Sequence, residues 1–137
     1  MKFLKNHLPL LLIAIVIFTI PVKAQVLSTK NISLDAAKKI VAEAVAYAKA
    51  NNAPGGAIAV VDAGGNLVYL ERLDNTFAAA SEVATKKANT AALFKASSSK
   101  LEIAINGGRQ ELITVGHTFL QCGIPIVYQG QVIGAIG

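Results

Sequence analysis

Cysteine occurs once, at position 122, and histidine twice, at positions 7 and 117. A single thiol excludes an internal disulfide and every multi-cysteine zinc or iron–sulfur site built within one chain. Two histidines leave little for a metal cage supplied by one subunit. Charge is also sparse: Asp, Glu, Lys and Arg make up 15% of the 137 residues, against 53% hydrophobic residues. That balance excludes a disordered chain. No collagen or heptad period is present, and 11 Gly with 4 Pro are ordinary for a globular protein. The length suits one domain.

Much of the hydrophobicity lies at the start. Lys2 and Lys5 precede a nearly unbroken apolar run from Leu8 to Ile20, and Val22-Lys23-Ala24 places small residues just before Gln25. This three-part pattern is that of a secretory signal peptide, residues 1–24, followed by one domain over residues 25–137. The run is shorter than the roughly 18–20 residues that span a bilayer, so no permanent membrane anchor is expected after cleavage. The expected location is periplasmic or secreted. Without Lys2, Lys5 and Lys23 the thirteen bases fall to ten, against eight acids. No basic stripe remains to track a phosphate backbone, so nucleic acid is not an expected partner.

In the remaining chain Ser33 suits a helix cap, with Asp35 in the first turn. Leu34, Ala37, Val41, Ala44, Val45 and Ala48 recur at helical spacing until Asn51-Asn52-Ala53-Pro54 stops the run. The alanines on that face predict a close approach by another backbone. Ala57–Val61 and Leu67–Leu73 read as strands joined through Asp62-Ala63-Gly64-Gly65-Asn66, a hairpin turn. Strict alternation sends Val68, Leu70 and Arg72 to one face of the second strand. Phe77–Phe94 reads as a helix, Ser97-Ser98-Ser99 as a turn with Ser99 as a cap, and Leu101–Ile105 as a short helix. Glu111–Val115 fits either helix or strand, and His117–Gln121 reads as a strand. Ile124–Tyr128 and Gln131–Ile136 form a second hairpin around Gln129-Gly130. Consecutive hairpins imply antiparallel pairing. The expected class is therefore α+β, a sheet built from hairpins and packed with helices.

Candidate chemistry is thin. Asp62-Ala63-Gly64-Gly65 opens a strand rather than a helix, which argues against a phosphate loop. Arg109 follows Asn106-Gly107-Gly108 and is either a surface arginine after a helix cap or a bidentate holder of a carboxylate such as a haem propionate. His117 is either a structural residue or an axial haem ligand. Tyr47, on the first helix, is a packing residue or an oxygen ligand. Cys122 suits a small buried position, or a thiol that pairs between chains or ligates haem iron. Pro125, after Gly123 and Ile124, marks a strand start or a rigid pocket wall. No nucleophile, base and orienting acid assemble, so no catalytic residue is assigned, and Asp62, Glu71 and Asp74 stand where solvated carboxylates are common.

Four segments in order carry a resemblance. They are Val60 to Val68 with Leu70 to Asp74; Lys87-Ala88 with Thr90 to Phe94; Ile105 to Arg109; and Gly123 to Ile126 with Gly130 to Gly137. Together they resemble the GlcG/HbpS family over nearly all of residues 31–137. The resemblance implies an antiparallel sheet packed with helices, PAS- or profilin-like in outline, and a homo-oligomer. Its members include secreted haem-binding proteins, some described as haem-degrading, a product of glycolate-utilisation operons, and the C-terminal domain of PduO-type cobalamin adenosyltransferases. It therefore implies haem or a related tetrapyrrole as ligand, with His117, Tyr47, Arg109 and Cys122 as candidate binding residues and His117 as the candidate for the iron. An enzyme or accessory protein for small 2-hydroxy acids, and a ligand-free oligomeric scaffold, are the alternatives. Two departures stand out. Cys122-Gly123 replaces a usual Gly-Gly, and relatives continue beyond the position of Gly137 with a Val-Ser-Gly stretch and a final helix. A truncated C-terminal end is thus expected.

Overall fold

The computed structural model describes residues 27–137. The leader read over residues 1–24 lies outside them. Among the described residues no helix is long and apolar enough to cross a membrane.

The first helix, α1, spans Leu34–Ala50. Ser33 caps it, its hydroxyl accepting the Ala36 N–H at 3.2 Å. Asp35 and Lys49 sit at the ends where the helix dipole favours their charges. Ala37, Val41 and Val45 are buried at the spacing of one helical face. Strands β1 (Ala57–Asp62) and β2 (Leu67–Arg72) follow as the expected hairpin. The Asp62 carboxylate fixes its turn by accepting the N–H groups of Gly64 and Asn66 at 2.9 and 2.8 Å. Gly65 supplies the left-handed φ of +81° that the turn demands. Helix α2 (Ala80–Phe94) and helix α3 (Ser98–Asn106) come next, then a 3₁₀ segment, Gln110–Val115. Strands β3 (Ile124–Tyr128) and β4 (Gln131–Ile136) close the second hairpin. Gln129 and Gly130, at φ +49° and +76°, make the turn that matches strand twist.

The four strands form one antiparallel sheet in the order β2-β1-β4-β3. The two hairpins thus join through β1 and β4, with Val60 opposite Ile136 and Val61 opposite Ala135. Successive strand residues point to opposite faces, so the core splits in two. Val60 belongs with Ile32, Ala37, Val41 and Val45 beneath α1. Val61 belongs with Ala88, Ala91, Ala92 and Ala135 beneath α2. The α+β expectation is borne out as a sheet between two helical layers.

Several local expectations need correction. Alternation in β2 fails because the register slips between Val60 and Val61, leaving Val68 opposite no partner. Val68 and Tyr69 therefore both reach the α1 side. A matching slip in the second hairpin leaves Ile133 unpaired, and it too joins the α1 cluster. Helix α2 begins at Ala80 rather than Phe77, because Phe77 to Ala79 form a turn closed by the Ala80 N–H on the Phe77 carbonyl. The cap of α3 is Ser97, not Ser99. His117–Gln121 is not a strand.

Close backbone approach occurs at α2, not at α1. A Cβ on Gly137 would overlap the Ala84 carbonyl, and one on Gly123 the Lys87 carbonyl. Alanines 84, 88, 91 and 92 let the helix settle onto the sheet, where larger side chains would hold it away.

Candidate functional site

The irregular segment His117–Gly123 runs along α2 from its C-terminal end toward its middle. The His117 ring meets the Phe94 ring edge-on, centroids 5.3 Å apart and planes at 85°. Phe94 meets Phe119 in the same manner at 5.8 Å. His117 is half-buried in this aromatic group, with one side of the segment open. The elements before it expose large apolar side chains, Ile103 of α3 at 70% and Ile113 of the 3₁₀ segment at 64%, and the segment itself exposes Leu120 at 50%. Monomeric soluble proteins seldom leave several large apolar side chains of neighbouring segments in water.

Two buried hydroxyls hold the segment down. Thr90, wholly buried, has its Oγ1 2.9 Å from the Thr118 carbonyl and 2.9 Å from that of Lys86, one turn back along α2. Ser98, also wholly buried, donates to the Leu120 carbonyl at 2.6 Å and accepts the Gly123 N–H at 2.8 Å. Sequence reasoning missed both. The signal for Thr90 was its place on the buried stripe of α2, where a hydroxyl needs a partner. Ser98 was hidden among three consecutive serines.

At the far end of the segment Cys122 borders a cleft of about 240 Å³ with Phe77, Ala84, Lys87 and Gly56. The expectation of a buried cysteine fails: Cys122 is exposed. Its φ of +80° lies in the left-handed region that favours glycine. Arg109 is exposed on the turn between α3 and the 3₁₀ segment, its backbone N–H on the Ala104 carbonyl. Tyr47 is 73% exposed on α1, in the layer across the sheet. The structure therefore places His117 and Cys122 on one α2-side segment, Arg109 on the same half of the chain, and Tyr47 apart from them. Among the described residues no three His, Cys, Asp or Glu side chains gather as a metal site.

The fit of a flat tetrapyrrole follows from these dimensions. Ligand pockets usually enclose roughly 300–1,000 Å³, and the Cys122 cleft is smaller. A porphyrin would not be enclosed there. The half-buried His117, with Phe94 edge-on to it and Phe119 against Phe94, offers an imidazole for iron and aromatic rings beside it.

A family model described as "haem degrading protein HbpS-like" matches residues 32–137. GlcG of Escherichia coli strain K12 is 41% identical over 81 residues, 58% of this chain and 60% of GlcG. The matched stretch thus spans less than two thirds of that relative. The crystal structure of a double mutant of Streptomyces reticuli HbpS superposes with a TM-score of 0.75 at 28% identity, covering 85% of this chain and 82% of that one. A crystal structure of a PduOC:haem complex shares the fold at a TM-score of 0.68 and 24% identity, covering 78% and 80%.

Proposed function

We propose that this chain, which belongs to the HbpS-like family, binds haem on the open α2-side face, with His117 as the iron ligand. The observation that carries the reading is the half-buried His117 edge-on to Phe94, which in turn meets Phe119, with Leu120 of the same segment exposed. His117 is the sole imidazole of residues 25–137. Arg109 supplies a guanidinium for a propionate. Cys122 and Tyr47 take no part in holding the iron in this reading. Bound haem supplies a redox-active iron, and the chain's own contribution is an apolar wall that keeps water from one face of the macrocycle.

One chain offers only a part of that wall. The exposed Ile103, Ile113 and Leu120 are covered by a second copy, and the protein works as a homo-oligomer. Residues 1–24 direct it out of the cytoplasm, so that the chain recovered there begins at Gln25 by mass.

Haemin titrated into the protein, followed at the Soret band, tests the reading. A saturable shift is expected near one haem per chain, with His117→Ala weakening binding by at least about tenfold, the scale of one lost strong interaction. Equal affinity in the variant overturns the assignment of the iron ligand. No shift with cooperatively folded protein overturns haem binding itself.

A further inference from the structure

Segment His117–Cys122 belongs to no helix or strand, and among the described residues its backbone has no backbone partner. A buried carbonyl without a partner is costly, so something else must hold the segment. Thr90 and Ser98 do so. They stand on different helices, α2 and α3, and among the described residues they are the two fully buried hydroxyl side chains. Each reaches a carbonyl of the segment, Thr118 and Leu120 in turn. Those two carbonyls flank Phe119, and the first belongs to the residue after His117. Ser98 adds a third bond by accepting the Gly123 N–H, where the segment enters β3. The Ser98 N–H donates in turn to the Gly123 carbonyl at 2.9 Å.

We infer that Thr90 and Ser98 are positioning residues that staple the His117–Gly123 segment at two points and thereby fix the imidazole for the iron. The inference rests on the haem-binding reading for its ligand, but the staple itself is a property of the protein alone. Thr90 carries one hydroxyl proton. It can spend that proton on the Lys86 carbonyl, as helical threonines commonly do, or on Thr118. The Lys86 carbonyl also has the helix ladder, whereas Thr118 has no other partner among the described residues. The proton is therefore worth more on Thr118. Ser98 has no such choice: it uses both its proton and a lone pair on the segment.

The shape of Thr90 and its hydroxyl are separable. Thr90→Val keeps the volume and loses the bond. Thr90→Ser keeps the bond and loses a methyl group. Ser98→Ala removes both bonds at the second point. In the full chain two quantities are read: backbone order parameters of 117–123 from NMR relaxation, without haemin, and the ferric haem spectrum with affinity, after haemin addition.

The expected result is lower backbone order over 117–123 in Thr90→Val and Ser98→Ala. With it come an altered iron ligand-field spectrum and binding weakened about tenfold, the scale of one net hydrogen bond. Thr90→Ser keeps the parental order and spectrum. Backbone order in Thr90→Val equal to that of the parent overturns the staple. Lower order with an unchanged haem spectrum overturns the positioning of His117. Should Ser98→Ala fail to fold, the Thr90 pair decides the matter alone. If the parent binds no haemin, the functional reading fails, while the order parameters still support or overturn the staple.

Discussion

The two faces of the sheet are packed by opposite means. Beneath α1 the core is made of volume: Ile32, Val41, Val45 and Val60, with Ile58, Tyr69, Leu73 and Ile136 around them. Two strand bulges add to it, sending Val68 and Ile133 to the same side. Beneath α2 the core is made by removing volume. Alanines face alanines, and Gly123 and Gly137 leave no room for a methyl group against the helix backbone. The α1 face gains from hydrophobic area, roughly 1.5–3 kcal/mol for each fully buried large aliphatic side chain. The α2 face gains from close contact of many small groups, each weak alone. It follows that the faces differ in what they tolerate. One yields to deletion in graded steps, and the other admits nothing larger.

The largest effect is expected where that contrast is sharpest. Ala88→Leu on α2 forces the helix away from β1 and β4, at a cost of about 3 kcal/mol or more, seen as a fall in the denaturation midpoint. Val41→Ala on the opposite face costs about 2 kcal/mol by the lost methyl groups and the cavity they leave. If the two variants melt alike, the contrast is broken. Cys122→Gly sharpens it from the other direction. The left-handed φ of Cys122 favours glycine, so the substitution raises stability by about 1 kcal/mol in urea unfolding. The smallest effect belongs to the exposed rim of α2. There Lys86 hydrogen-bonds Glu82 at 2.6 Å and, by that bond and its charge, holds the Glu82 carboxyl below its ordinary value. The lowered value means the pair helps above the ordinary carboxylate range and ceases to help as pH falls through the folded-state value. Glu82→Gln is expected to shift the melting temperature barely at neutral pH and not at all in acid.

Much of this was legible in the sequence. The capped α1, both hairpin turns and the helical stripes of α2 each rest on local chemistry: a serine before an apolar period, an aspartate over glycines, a Gln-Gly pair. What was not legible depends on distant residues. Val68 breaks alternation because a bulge sits opposite Val60 and Val61. His117–Gln121 reads as a strand, yet its carbonyls are taken by hydroxyls some twenty or more residues earlier rather than by a neighbouring strand. The alanine pattern of α1 predicted close approach, and the true close approach lies on α2, because Gly123, just before β3, and Gly137, just after β4, meet it there. For the site, His117 was visible as a lone imidazole. Its aromatic neighbours and the two stapling hydroxyls were not, since they come together only when α2 and α3 are in place.

The strand order has a consequence for how the molecule comes into being. Its two central strands are the earliest and the latest, so Val60 waits for Ile136 before the middle of the sheet exists. The first hairpin and α1 form from local contacts, but β1 keeps a bare inner edge until β4 arrives. Pairing over so long a loop is slow, because chain closure must precede any reward. During synthesis the nascent sheet therefore stays sticky and unfinished until β4 has been made, and then both layers lock in a single late event.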